Sequence, residues 1–323
     1  MILAGIDIGT NTLRLLIADV GPGSFREINS DRRITRLGQN LDQSGMLSPE
    51  AEERSLEALA DFQAQLRQEG ACRVSSIGTS ALRNAANAAS FIDRVEQETG
   101  LVIRVVTGEE EARLTLLGVA QVLPEGGPTH GKSLLESALV IDIGGGSTEI
   151  IITHPRHKPA IVSLPLGAVY LTDQFIKHDP PLPGELTRLR RRVADELDAY
   201  TETILFTAPS LCIGTAGTIT TLAAIDQGLA VYDPGKIHGA VLTGDFIDGI
   251  VPRLGALSLS ARRTIPGLEP GREDILLAGA IVAQEIMRRF QYTSMLVSDR
   301  GLREGIVLDL YAEMCKEGMP QRY

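Results

Sequence analysis

An internal repeat is the feature that most constrains how this chain folds. Residues 6–17 align without a gap with residues 141–152, and both segments begin Ile-Asp-Ile-Gly. Each copy is typical of an apolar strand carrying one aspartate, a turn of small residues and a second apolar strand. A shorter match, residues 77–80 with 213–216, follows at nearly the same spacing. Two matches in the same order predict two related domains that offer their turns to a shared cleft.

Helical and strand patterns alternate through both halves, which predicts an α/β fold repeated twice. The 323 residues suit two domains rather than one core. We expect domain I at 1–126 together with a C-terminal helix at about 307–323, and domain II at 127–306. Helices are predicted at 48–70, 84–100, 108–122, 184–206, 245–264, 272–290 and 301–316.

Composition narrows the class of protein. The net charge of −10 argues against broad nucleic-acid binding, which needs a basic face. No apolar run approaches the roughly 20 residues of a membrane span, and no signal peptide is visible. The three cysteines form no CxxC pair, so a cytoplasmic protein is expected. The basic residues are 26 arginines and 5 lysines, a bias that suits phosphate binding but also follows from an arginine-rich genome.

The second copy of the repeat carries the strongest local signal for chemistry. Successive glycine amides form a concavity for an anion, and neighbouring hydroxyls add donors. Asp142 and Glu149, at the two ends of the turn, are placed to hold Mg²⁺ between them. The alternative is an ordinary glycine-rich hairpin turn. The predicted phosphate-binding residues of this turn are Gly144, Gly145, Gly146, Ser147 and Thr148.

The first copy of the repeat has the same strand–turn–strand pattern, but the residues of its turn differ in chemistry. Asn11 and Thr12 replace two of the turn residues, and Asp7 is the equivalent of Asp142. Arg14 stands where the second copy has Glu149. The two turns are therefore not equivalent, and we expect one to favour metal and the other phosphate.

Two further loops join a strand to a helix, where free N–H groups attract phosphate. The loop at 78–83 adds the guanidinium of Arg83. A glycine and a threonine at the start of a helix can also form an ordinary helix cap. In the second loop the candidate phosphate ligands are Gly214, Thr215, Gly217 and Thr218.

Three consecutive acids, Glu109, Glu110 and Glu111, open a predicted helix. Acids in a first turn commonly do no more than complement the helix dipole. A catalytic role requires one carboxylate that orients or deprotonates water.

Residues 126–133 match the Walker A pattern and include Lys132. That motif needs a preceding strand and a following helix. Here a strand follows within a few residues, so we interpret the match as accidental.

Taken together, the motifs resemble those of the exopolyphosphatase/guanosine pentaphosphate phosphatase family, within the actin-like ATPase superfamily. The resemblance covers almost the whole chain and implies two duplicated ribonuclease-H-like domains with an interdomain cleft. It implies Mg²⁺-dependent hydrolysis of terminal phosphoanhydrides. It also implies a short form, because many relatives carry an extra helical domain after this core. The motifs are IDIGTNTLRLLI, GTSALRNA, TGEEEARL, IDIGGGSTE, IGTAGT, PGREDILLAGA and SDRGLREG.

By this resemblance Glu111 is the catalytic base. Asp142 and Glu149 match the family's metal-binding and water-positioning acids, and Asp7 is a further metal candidate. Arg83 and the glycine turns match its phosphate-binding residues. Arg272 and Arg36 lie in stretches that resemble substrate-side motifs.

The first functional hypothesis is an exopolyphosphatase that releases orthophosphate from inorganic polyphosphate. The second is a guanosine pentaphosphate 5′-phosphohydrolase. An actin-like ATPase or kinase and a non-catalytic polyphosphate or nucleotide sensor are the remaining alternatives. The sequence leaves open whether the chain forms a homodimer.

Overall fold

The structure is a computed structural model that describes residues 1–120, 135–201 and 209–317. The chain divides into two compact units. Unit 1 comprises Met1–Gln121 and Gly301–Tyr323, and unit 2 comprises Val122–Arg300. The Walker-like segment with Lys132 lies outside the described residues. Among the helices in the described ranges, none is long and apolar enough to cross a membrane.

Unit 1 is built on a five-stranded sheet with strand order β3-β2-β1-β4-β5. The first three strands form an antiparallel meander, and β4 and β5 run parallel to β1. The strands are β1 (Ile2–Ile8), β2 (Thr12–Gly21), β3 (Ser24–Ile34), β4 (Arg73–Gly78) and β5 (Ile103–Val105). The helices are α1 (Leu41–Ser44), α2 (Pro49–Gln68), α3 (Ser80–Asn84), α4 (Ala88–Thr99) and α5 (Gly108–Ala120), and the unit is completed by the last helix of the chain (Leu302–Lys316).

Apolar side chains cover both faces of this sheet, since alternate residues of a strand point to opposite faces. On β1, Ile6 and Ile8 pack with α2 residues such as Leu59, whereas Leu3 packs with Val307 of the last helix. That helix also crosses α5 at a very short distance. A Cβ added at Gly305 would lie 1.8 Å from the carbonyl oxygen of Leu114, so only glycine fits there.

Unit 2 repeats the arrangement with a six-stranded sheet of order β10-β11-β9-β6-β7-β8. Its strands are β6 (Ala138–Ile143), β7 (Thr148–Ile152), β8 (Ala160–Leu164), β9 (Leu211–Thr215), β10 (Val241–Thr243) and β11 (Ser294–Val297). Its helices are α6 (Ala168–Phe175), α7 (Pro183–Thr201), α8 (Ala216–Asp226), α9 (Pro234–Ile237), α10 (Gly244–Ala256), α11 (Leu259–Arg262) and α12 (Leu276–Arg289), and the last helix of the chain, in unit 1, is α13. A meander, β6-β7-β8, again continues into strands parallel to its first member. The predicted duplicated α/β fold is therefore confirmed.

The two copies of the repeat close their turns in the same way. The amide of Gly9 donates to the carbonyl oxygen of Thr12 (3.1 Å), and the amide of Gly144 donates to that of Ser147 (3.0 Å). The next strand is offset, however. Ile8 pairs with Gly78 in unit 1, whereas Gly214 pairs with Ile141, two residues before the equivalent of Ile8. A shift by two keeps every side chain on its face.

Several features of the fold differ from the sequence predictions. The edge strands β3, β8 and β10 were not predicted. The helix predicted at 84–100 is α4, which begins at Ala88 and is preceded by the separate turn of α3. The two compact units divide at 121/122 and 300/301, within six residues of the predicted 126/127 and 306/307, and α13 packs on unit 1.

Candidate active site

The predicted site residues divide between the two units. Each group lies at the carboxyl-terminal ends of the central parallel strands of its unit, where open α/β sheets present their ligand-binding loops. Unit 1 carries Asp7, Asn11, Thr12, Arg36, Arg83 and Glu111. Unit 2 carries Asp142, Gly144, Gly145, Gly146, Ser147, Thr148, Glu149, Gly214, Thr215, Gly217, Thr218 and Arg272.

In unit 1 the segment after β3 fixes the first turn. The amides of Thr35 and Arg36 both donate to the carbonyl oxygen of Asn11 (3.1 and 3.0 Å), and the amide of Gly38 donates to Thr10 (2.8 Å). Arg36 adopts a left-handed backbone (φ 52°) to make this contact. The turn is therefore held rigidly although it contains a single glycine. Its amides at Thr10 and Asn11 take no acceptor within the described residues.

A row of charged residues crosses the unit 1 sheet beside this turn. Asp7 of β1 pairs in register with Arg14 of β2, which pairs with Arg32 of β3. Like charges directly opposite each other destabilise a sheet. No carboxylate of the described residues forms a salt bridge with Arg14. The Arg14 side of the row therefore suits an anion, and the metal role of Asp7 stays a prediction.

The three acids that open α5 have separate environments. Glu109 is exposed, while Glu110 accepts two hydrogen bonds from Arg113 (2.8 and 2.9 Å) at the surface. These bonds hold the pKa of Glu110 below its ordinary value, against a smaller opposing effect of desolvation. Glu111 alone is buried. Of the three acids, the buried one is the residue for which the resemblance implies the role of base, and that role stays a prediction.

Glu111 pairs with the predicted phosphate ligand Arg83. Arg83 Nη1 donates to Glu111 Oε2 at 2.8 Å and to the carbonyl oxygen of Val106 at 2.9 Å. The side chains are 21% and 11% exposed, so solvent screens this pair less than a surface salt bridge. α3 presents the arginine and α5 the glutamate. Their 28-residue separation makes this contact invisible to local sequence patterns.

In unit 2 the triple-glycine turn packs against α6. The amide of Ala168 donates to the carbonyl oxygen of Gly144 (2.9 Å), and that of Val169 donates to Gly145 (2.8 Å). Gly167 makes this approach possible, because a Cβ there would lie 2.3 Å from the Gly145 oxygen. The carbonyls are thereby occupied, whereas the amides of Gly145 and Gly146 have no acceptor in the part of the chain that the structure describes. Free donors at a glycine turn form an anion-binding concavity.

The unit 2 sheet carries a row equivalent to the one in unit 1, with the opposite charge. Asp142 pairs in register with Glu149, which pairs with Ser163. Both carboxylates are buried, and Ser163 Oγ donates to Glu149 Oε1 at 2.7 Å. Two buried acids side by side repel each other, and a cation would relieve that repulsion.

These oxygens fit Mg²⁺. This ion is commonly held by one or two carboxylates, with water and substrate phosphate completing its shell. No group of three or more histidine, cysteine, aspartate or glutamate side chains placed for a metal occurs within residues 1–120, 135–201 and 209–317. The acid pair therefore suits a metal that shares its coordination with substrate rather than a site enclosed by protein.

The amino terminus of α8 is the second candidate anion site of unit 2. Its N-cap residue, Thr215, makes no side-chain cap, and Ala216 turns the chain with a left-handed backbone (φ 67°). The guanidinium of Arg272 lies against Gly217, where an added Cβ would fall 2.3 Å from Nη2. Glu269 holds Arg272 through a 2.6 Å hydrogen bond. A buried guanidinium beside an uncapped helix terminus favours an anion.

Several predicted ligands use their side chains for structure instead. Thr148 Oγ1 donates to the carbonyl oxygen of Leu166 (2.8 Å) and Thr215 Oγ1 to that of Arg300 (2.9 Å). A Cβ on Gly214 would strike Met295 at 2.2 Å, so this glycine serves strand packing. Thr218 packs against Gly279 of α12. At Thr148 and Thr215 the hydroxyl proton is therefore already donated within the protein.

The sequence reasoning missed Gly167, Ser163 and Glu269, each of which supports a site residue. Of the three, only Gly167 could have been noticed in the sequence, because a Gly-Ala pair there directly precedes a helical pattern. Ser163 and Glu269 act through tertiary contacts, and no local pattern marks them.

Paired sheets of this topology, each with an aspartate-bearing hairpin turn at its first strand, define an actin-like ATPase fold built from two ribonuclease-H-like units. The model of the Ppx/GppA phosphatase family matches residues 16–314. The chain belongs to that family, and its relatives indicate a phosphoanhydride hydrolase.

Individual relatives match this chain along nearly its whole length. Exopolyphosphatase 2 of Mycobacterium tuberculosis is 34% identical over 321 residues, which cover 95% of this chain and 98% of that protein. The crystal structure of the Aquifex aeolicus Ppx/GppA family member superposes with a TM-score of 0.78 at 34% identity and covers 99% of both chains. An exopolyphosphatase from Cytophaga hutchinsonii gives a TM-score of 0.85 at 27% identity, again covering 99% of both.

Proposed function

We propose that this chain is an exopolyphosphatase that hydrolyses the terminal phosphoanhydride of inorganic polyphosphate and releases orthophosphate. In this proposal Glu111 activates the attacking water and Mg²⁺ is the cofactor. The observation that carries it is the partly buried pair of Arg83 and Glu111, in which a guanidinium suited to phosphate contacts a carboxylate suited to act as a base. The names of the curated relatives, exopolyphosphatases 1 and 2, support polyphosphate as the substrate.

The Arg83–Glu111 pair gives the reaction an order of events. In the free protein one lone pair of Glu111 Oε2 is occupied by the N–H of Arg83. A terminal phosphate that accepts hydrogen bonds from Arg83 releases that oxygen. Glu111 then takes a proton from water while the water oxygen attacks phosphorus and the bond to the bridging oxygen breaks. The shortened chain leaves with the electron pair of that bond.

The remaining residues stabilise negative charge in this scheme. The amides of Gly145 and Gly146 donate to phosphate oxygens, and Arg272 supports the amino terminus of α8. Donors fixed in advance are effective because they need no reorganisation when charge develops. The proposed role of Asn11 and Thr12 is limited to this kind of contact in unit 1.

Asp142 and Glu149 would hold the Mg²⁺ ion. When bound, the ion neutralises phosphate charge and acts as a Lewis acid. Ser163, which donates to Glu149, orients that carboxylate. Outer hydrogen bonds of this kind are commonly needed for full metal affinity.

A direct test measures orthophosphate release, with Mg²⁺, from polyphosphates of several lengths, guanosine pentaphosphate and ATP. The proposal expects the highest kcat/KM for a polyphosphate and a large loss in Glu111→Gln. A higher kcat/KM for guanosine pentaphosphate would assign the chain to the nucleotide reaction instead. Faster ATP turnover would point to an ATPase, and tight binding without phosphate release would indicate a sensor.

A further inference from the structure

Arg300 lies in the segment that follows the carboxyl-terminal end of β11, beside the start of α8. Its carbonyl oxygen accepts hydrogen bonds from Thr215 Oγ1 (2.9 Å) and Ser298 Oγ (2.7 Å). Its amide donates to Ser298 Oγ (3.2 Å). Three hydrogen bonds therefore fix the backbone of Arg300, and none of them involves its side chain.

The guanidinium of Arg300 is distinctive among the arginines of unit 2. Among the described residues, five arginines of this unit are buried or half-buried. Arg190, Arg192 and Arg272 pair with glutamates, and Arg262 donates to main-chain carbonyls. Within the described part of the chain, the Arg300 side chain forms no hydrogen bond or salt bridge. An acid is close in the sheet, since Asp142 of β6 pairs in register with Thr215, whose hydroxyl group contacts the Arg300 backbone. A half-buried guanidinium with none of its donors used is poised for a ligand.

The surroundings of Arg300 favour an anion. The Thr215 contact places its backbone at the uncapped amino terminus of α8, the same terminus that Arg272 approaches through Gly217. An arginine side chain extends about 6–7 Å from its Cα atom, far enough to span the first turn of a helix of 5.4 Å pitch. The carboxylate next in sequence, Asp299, accepts a short hydrogen bond from Tyr232.

We propose that Arg300 binds a second phosphate group of the substrate, adjacent to the one held by the α8 terminus and Arg272. The ligand class is a condensed phosphate with at least two linked phosphoryl groups. A single orthophosphate would engage the first position only. This inference rests on the proposed function for the identity of the substrate, but its prediction concerns binding and not turnover.

The test uses imidodiphosphate, whose P–N–P bridge resists hydrolysis, and orthophosphate as the single-phosphate probe. Both are titrated calorimetrically, with Mg²⁺, into the wild-type chain and Arg300→Gln. One charge-assisted hydrogen bond corresponds to a loss of about tenfold in imidodiphosphate affinity. Orthophosphate affinity should change by less than about twofold. Arg300→Lys, which keeps the charge without the planar fork, should fall between the two.

Arg191→Gln is the matched control, since it removes the same charge from a side chain that is 83% exposed. Arg191→Gln should bind both probes like the wild type, and all variants should have the same thermal unfolding midpoint as the wild type. Equal imidodiphosphate affinity in Arg300→Gln and the wild type would overturn the proposal. So would an equal loss for both probes, or wild-type chain that does not bind imidodiphosphate. If polyphosphate is not hydrolysed but imidodiphosphate binding depends on Arg300, the exopolyphosphatase assignment fails and this site stands.

Discussion

Replacing Glu111 by glutamine separates the chemical role of this residue from its structural role. The substitution keeps the side-chain volume and one acceptor oxygen but removes the charge that meets Arg83 at 2.8 Å. A charge-assisted hydrogen bond contributes about 1.5–3 kcal/mol. Arg83 retains the carbonyl oxygen of Val106 and some access to water. We therefore expect a loss near the lower limit, about 1.5 kcal/mol in the free energy of unfolding.

The expected effect on catalysis is much larger. Loss of a general base lowers kcat by a factor on the order of 10²–10⁴. This corresponds to about 3–5 kcal/mol in the activation barrier. A purely structural residue would instead lose activity in proportion to the fraction of unfolded protein. A stable but nearly inactive variant is thus the expected outcome.

Glu110→Gln provides a matched control one residue away on the same helix. Its partner, Arg113, lies 2.8 Å away in a more exposed pair, so about 0–1 kcal/mol of stability is at stake. Its turnover should stay within about twofold of the wild type.

The assay is orthophosphate release from polyphosphate at saturating Mg²⁺, combined with urea unfolding of the same preparations. Near-normal kcat in Glu111→Gln would remove Glu111 from the chemistry. Equal losses of activity in the Glu110 and Glu111 variants would show that any charge change at this helix start has the same effect.

Three further predictions follow from individual contacts. Asp142→Asn should shift the activating Mg²⁺ concentration upward, and an unchanged titration would argue against a metal role. Gly217→Ala should fold normally but lose roughly tenfold in kcat/KM, because the new Cβ would displace the guanidinium of Arg272 from the α8 terminus; unchanged kinetics would separate Arg272 from substrate. Hydrogen bonds from His178 and two backbone amides lower the pKa of Glu185 to about 2, so its contribution is present above about pH 4.5 and disappears as the pH falls towards 2. The thermal midpoint of Glu185→Gln should therefore lie below that of the wild type at pH 6 and converge with it near pH 2, and a gap that does not change with pH would contradict this.

The parts of the fold set by contiguous residues were predictable from the sequence. The repeated turns could be recognised because a strand, a glycine and an aspartate recur within a few positions. Ser48 and Pro49 likewise indicated the start of α2, and the Ser48 hydroxyl oxygen accepts a hydrogen bond from the amide of Ala51. Strand β3 was not predicted because it is a polar edge strand with many exposed residues. Such a strand lacks the apolar pattern of a strand in the middle of a sheet.

The candidate site was predictable only as a set of residues. Arg83 and Glu111 were both proposed, but their pairing depends on how α3 and α5 pack on β4 and β5. Glycines illustrate the same limit. Gly217 and Gly214 belong to one motif, yet one contacts Arg272 and the other Met295. Which neighbour approaches a glycine is decided by tertiary structure.

The charged rows across the two sheets also bear on how the chain can change by mutation. The row in unit 1 continues through Arg14 and Arg32, and the row in unit 2 through Glu149 and Ser163, on equivalent scaffolds. The row of unit 1 therefore carries two guanidinium groups and one carboxylate, whereas the row of unit 2 carries two carboxylates and a hydroxyl group. Replacing Arg14 by the acid of its counterpart would give each sheet a pair of adjacent carboxylates and remove this difference in charge.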